Sequence, residues 1–494
     1  MARQNDLFDL VKSLSKGEKA YFRKNLPATS DGDKGYLKIF EVLDGMKEYN
    51  EELLLKKLKI KKEGTAFAVA KNYLQRSILK SLQQFHAEKT VNATIYANLE
   101  QAEILTQKGL YQMAQKSLEK AYQLAKESER LPIWLECILR LRLMVSILPI
   151  DKKSIAYIDE LHKEEMMVQE WLHNQNVIFT ISKKQYVLLK LLSFEGVRSA
   201  EHKEALEELI NAEEFKEEKC VTYTSRCNYY TILGHYYYAI GDMEKSFYWR
   251  KRTVDYINSR PDMKRYNQWG VYISINTFLN ICLRLHKFDE YLQYNKLLSN
   301  YSEMEAEGYA ARVFLMYANL EMNYCFSSSD FKHAREILPQ IVKDLKTYSS
   351  QLSVNLLMPI NFNVGGLYYF LGQYANAIDH FTFCADQKTD SNINAVARVA
   401  LLIMHYELNN FDLIDYLIRN TERHFKNQQR LFRFEKTFLD AMKRIIRTPD
   451  KKELAAEFEK LMMQLQQLSS DPKERNAIGV FDFMGWLSRH SKSA

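Results

Sequence analysis

"LGHYYYAIGDMEKSFYW", Leu233 to Trp249, sets one apolar run, a Gly-Asp pair and a second apolar run in close succession. Leu233, Gly234 and Tyr237 fall on one face of a helix, at i, i+1 and i+4. Gly241 can end that helix because glycine takes the left-handed conformation without a Cβ clash. Asp242 can cap the next helix, whose apolar residues include Met243, Phe247 and Val254. Gly234 is small where the second helix has to pass, and Tyr237 fills the volume beside it. The stretch therefore predicts the waist of a helical hairpin.

The same pattern recurs. "VGGLYYFLGQYANAIDHF" supplies Gly365, Tyr368, Gly372, Tyr374, Ala377 and Phe381, and "LTQKGLYQMAQKSLEKAY" supplies Gly109, Tyr111, Ala114, Leu118 and Ala121. Looser copies turn around His286, Ser329 and Asn409, and degenerate ones near Asp151 and Gly196. This pattern resembles the tetratricopeptide repeat (TPR), a helix–turn–helix unit of about 34 residues. The turns here step by 37 to 45 residues, so each helix should be about one turn longer than that family's norm. The resemblance implies a right-handed α-solenoid of about eight longer-than-usual hairpins over residues 91–425. Residues 1–90 form a basic N-terminal helical module in this reading, and 426–494 form capping helices. Thr448 and Pro449 should open one of these caps, and Asp471 with Glu474 the other.

Composition agrees with an all-α chain. Only 16 Gly and 8 Pro occur among 494 residues, too few for the frequent turns of a sheet protein. The apolar candidate for a membrane segment, Leu131 to Ile150, is interrupted by Glu136, Arg140 and Arg142 and reads as a buried helix. Six cysteines without C-x-x-C spacing read as reduced thiols, and the N-terminus lacks an apolar signal core, so a cytoplasmic protein is expected.

Charge is uneven. Residues 1–90 carry 18 Lys and Arg against 12 Asp and Glu, and Tyr416 to Arg447 carry 9 against 3. In the first region Ser15 and Glu18 form a capping box, "PATSDGDKG" reads as a loop, and short helices precede a long one starting near Thr65. The two helices flanking "KIKKEG" admit a helix-turn-helix reading, with Lys56, Lys57, Lys59, Lys61 and Lys62 facing phosphates or an acidic partner. Against it, Phe67, Tyr73, Leu74, Ile78, Leu82 and Phe85 give the second helix a wide apolar face, unlike one that reads bases.

Catalytic signatures are absent from the sequence. It contains no phosphate-cradling glycine loop and no H-E-x-x-H. His380 and Cys384 stand i, i+4, as metal ligands can, yet Cys384 occupies a small-residue packing position. No metal, no cofactor and no enzymatic activity are expected. The family resemblance instead implies a concave face lined by the first helix of each hairpin. Its mapped positions are Lys183 and Lys190, Asn228 and His235, Asn276 and Asn280, and Asn319 and Asn323, with Asn361 and Asn363 close to but off the pattern. A carboxamide donates and accepts, so successive asparagines can pair with the backbone of an extended peptide. Lys183 and Lys190 would then hold an acidic group. The expected function is a non-catalytic adaptor or scaffold binding a protein or peptide without membrane insertion. The alternative is a nucleic-acid-linked regulator that uses residues 1–90 to bind and the repeats to sense.

Overall fold

The computed structural model describes residues 6–25, 31–60, 64–86, 90–191, 200–298, 309–387, 392–427 and 433–492. Among these the fold is all-α, with no strand. The chain divides into two compact units, residues 1–304 and 305–494.

The first unit opens on five helices, Asp6–Ser13, Lys16–Asn25, Asp31–Gly45, Glu51–Leu58 and Thr65–Phe85. They share a core of Phe8, Phe22, Phe40, Leu43, Leu54, Leu74 and Ile78. The capping box forms as expected, with Ser15 N–H donating to Glu18 at 2.7 Å. "PATSDGDKG" is helical from Asp31 onward rather than a loop, while residues 26–30 lie outside the described residues.

Helices Val91–Gln107 and Tyr111–Glu127 then pack together, as do Tyr223–Ala239 and Met243–Ser259. Each of these four has 17 residues, about 25 Å of helix, and the same length recurs in Gln268–Arg284. In the second unit, Val354–Phe370 again has 17 residues and packs on Tyr374–Ala385. Helices Ala310–Ser328 with Phe331–Tyr348, and Asn392–Glu407 with Phe411–Asn427, complete the hairpins there.

Every turn expected at a named residue outside the two degenerate copies carries left-handed backbone. Gly109, Gly241 and Gly372 have φ of 72°, 86° and 69°, and His286, Ser329 and Asn409 have φ of 54°, 58° and 58°. Asp242 caps its helix as predicted, accepting from Lys245 N–H at 3.0 Å.

Four local expectations are corrected. Asp151 does lie in a connection, but the chain beyond it runs as one 38-residue helix, Ser154–Leu191, in place of two. No Gly or Pro interrupts that segment, so nothing local stops the helix; Gly196 lies outside the described residues. Leu131–Ile150 is helical only over Leu131–Met144, with Trp134, Cys137, Ile138 and Leu141 buried, and no described helix is long and apolar enough to cross a membrane. The cap assigned to Thr448 belongs to Asp450, which accepts from both Lys452 and Glu453 N–H. Glu474 is turned toward another helix than the one it begins. Its carboxylate instead accepts from the N–H groups of Arg433 and Phe434, at 3.1 and 2.9 Å, at the start of helix Arg433–Ile445. The final segment splits into Pro472–Ile478 and Phe483–Ser491, where Asp482 caps the second helix and Phe483 and Trp486 are fully buried.

Candidate functional site

Helices Tyr223–Ala239 and Gln268–Arg284 of the first unit carry four of the residues assigned to the inner face. Asn276 is only 7% exposed. Asn280 donates to its backbone carbonyl at 2.8 Å and to its side-chain oxygen at 3.1 Å. A hydrogen bond thus links the two carboxamides along a single helix face. Asn228 and His235 are half-buried. Burial, with the Arg250 charge nearby, pushes the His235 imidazole down to about 4, so it is neutral at pH 7. Lys183 is exposed, its ammonium 4.8 Å from the Phe179 ring centroid. The Lys190 side chain lies outside the described residues.

In the second unit Asn319 and Asn323 are half-buried on helix Ala310–Ser328. Neither makes a hydrogen bond to another described residue. Asn361, placed off the pattern by the sequence, is 7% exposed and structurally engaged. It donates to Leu357 carbonyl at 2.9 Å and accepts from His380 Nδ1 at 2.8 Å. His380 also stacks on Tyr368 at 5.7 Å. These residues line a cavity of about 460 Å³ together with Lys346, Asp379 and Phe383. Spacing alone could not reveal this cluster, because Asn361 and His380 stand on different helices. Cys384 is a packing thiol: fully buried, donating to Met358 carbonyl, and pushed up to about 12 by burial. No group of metal-ligating side chains occurs among the described residues.

The basic candidates near the N-terminus are placed only in part. Lys56 and Lys57 are exposed at the end of helix Glu51–Leu58, and Lys59 closes it with φ 60°. Lys61 and Lys62 lie outside the described residues. On helix Thr65–Phe85, Phe67, Leu74 and Ile78 are buried, whereas Tyr73 is exposed and lies 4.3 Å from the Tyr36 ring. The opposite side presents Asn72, Arg76 and Lys80 at i, i+4 and i+8, interleaved with Val69 and Leu79.

Sequence reasoning missed Arg250. Its side chain crosses Gly234: a Cβ there would lie 3.0 Å from Arg250 Cγ. Ser246 Oγ donates to Gly234 carbonyl at 2.8 Å and accepts from Arg250 Nε at 3.1 Å. Burial pushes this guanidinium down to about 10. No protein-family model matches the chain, and no curated protein matches it in sequence.

Proposed function

We propose that the chain is a non-catalytic, cytoplasmic adaptor whose hairpins stack as a TPR-type right-handed solenoid and hold a segment of another protein along their first helices. The observation that carries this reading is Asn319 and Asn323, two half-buried carboxamides one helical turn apart with no hydrogen-bond partner among the described residues. Desolvated amides gain most from a ligand that both donates and accepts, which an extended peptide backbone does. Recurrent 17-residue helices and left-handed turns support the repeat architecture. Asn276 and Asn280, bonded to each other, contribute less, because a ligand must first displace their mutual bond.

A second reading has its own observation. Asn72, Arg76 and Lys80 form an exposed polar row on helix Thr65–Phe85, a suitable presentation for nucleic acid. The interleaved Val69 and Leu79 favour a protein surface instead.

Affinity capture from the source's soluble extract, with and without nuclease, separates the two. Wild type is compared with an Asn319→Ala/Asn323→Ala variant of unchanged circular dichroism. Proteins held by wild type, lost by the variant and indifferent to nuclease are expected. Identical captures from both forms overturn the carboxamide site. Partners lost on nuclease treatment move the function to the first 90 residues.

A further inference from the structure

The hairpins share a register in which a charge stands at one of six equivalent positions. Nine residues beyond the left-handed turn residue stand Leu118, Leu338, Phe381 and Ile418 in four of them, all buried and apolar. A fifth has Asn295, at the end of the short helix Phe288–Asn295. The hairpin turning at Gly241 has Arg250. A packing position that takes a hydrocarbon in those four hairpins holds a guanidinium here, a local rule broken without a structural gain.

The charge is not neutralised from within. Among the described residues no carboxylate pairs with Arg250, which contacts Ser246 Oγ and lies 5.7 Å from the Tyr238 ring centroid. The contrast on the same helix is direct, since Arg252 reaches Glu217 at 2.8 Å. Tyr238 also lies under Arg284, 5.1 Å from its ring, and accepts a hydrogen bond from it. Arg284, too, has no carboxylate partner among the described residues. Two guanidinium groups thus converge on one phenol, beside a neutral imidazole, with spare N–H donors and no anion. An arginine fork is matched to a carboxylate in both geometry and charge, and a desolvated cation without a counter-ion gains most from one.

We propose that Arg250 and Arg284, flanked by Tyr238 and His235, form a site for a side-chain carboxylate of an acidic protein segment. The anion site itself stands on this geometry; only the source of the carboxylate rests on the protein-binding reading above. Gly234 acquires a purpose in this account, since any Cβ would crowd the arginine stem that crosses it.

The test is hydrogen exchange of the full chain at constant ionic strength, with pentaglutamate amide, pentaglutamine amide or inorganic phosphate added. The glutamate peptide is expected to slow exchange in residues 223–259 at least tenfold more than the glutamine peptide. Arg250→Met should abolish that difference while exchange in 354–385 stays unchanged, and Arg284→Met should reduce it several-fold. Should Arg250→Met fail to fold, Arg284→Met decides alone. Equal responses to both peptides, or an undiminished response in the variants, overturn the site. Phosphate acting as strongly as the glutamate peptide overturns the peptide source. Because no partner is needed, a failure here is distinct from a failure of the capture experiment.

Discussion

The hairpins around Gly241 and Gly372 are built to one plan and filled differently. In each, a glycine seven residues before the turn lets the second helix close in. In the second unit the approaching side chain is Phe381, fully buried and 5.4 Å from Phe362 in an edge-to-face pair. A Cβ at Gly365 would lie 3.0 Å from two of its ring atoms. In the first unit the approaching side chain is Arg250, held by a serine and paired with no acid among the described residues. The lesson is that one geometry can serve two ends. With an aromatic ring the glycine tightens a core, and with an arginine it admits a charge that the fold itself does not need.

That comparison can be broken in several places. The largest effect is expected from Phe381→Ala, which should cost about 3–5 kcal/mol in denaturant unfolding by leaving a cavity; a loss below 1 kcal/mol would remove the contrast. Acid should act on the other hairpin. The folded-state His235 is pushed down to about 4 from an ordinary 6.5, so below pH 6.5 the unfolded chain takes up a proton that the folded chain refuses. Its stabilising contribution is full above pH 6.5 and is lost as pH falls to about 4, by at most about 3 kcal/mol. His235→Gln should flatten the pH dependence of exchange in 223–259 and leave 354–385 untouched.

Gly365→Ala should cost about 1–3 kcal/mol, because the ring of Phe381 has nowhere to go. Gly234→Ala should stay within about 1 kcal/mol, since a flexible stem yields and alanine favours the helix. Smallest are the turns. Ser329→Gly and Asn409→Gly should each raise stability by about 1 kcal/mol or less, and Gly241→Ala should lower it by a similar amount. Thermal unfolding of each single variant checks both signs.

The turns were legible because a left-handed residue is a local demand met by local chemistry, and Gly109, Gly241 and Gly372 announce it. Glu129 shows the limit. It takes φ 50° without a glycine's permission, and its carboxylate accepts from Tyr223 N–H at 2.6 Å, a bond across 94 positions of sequence. Glu474 capping Arg433–Ile445 is the same kind of event. Caps delivered from afar leave no spacing to read. The long helix Ser154–Leu191 was missed for the opposite reason, since the repeat pattern was extended over a segment with no stop signal in it. For the site, helix periodicity correctly grouped Asn276 with Asn280 but could not show that they bond to each other. Arg250 was legible in principle: aligning the turns sets it beside Leu118, Leu338, Phe381, Ile418 and Asn295, and the one charged member is visible without coordinates.

The most direct measurement makes one substitution twice, Arg250→Met and Phe381→Met, and reads hydrogen exchange in residues 223–259 and 354–385 without added ligand. An arginine kept for a ligand holds its hairpin below its best stability, so Arg250→Met should slow exchange in 223–259. Phe381→Met should speed exchange in 354–385. If both substitutions accelerate exchange to the same degree, Arg250 is part of the packing like its counterparts, and the account of a charge kept for a partner is contradicted.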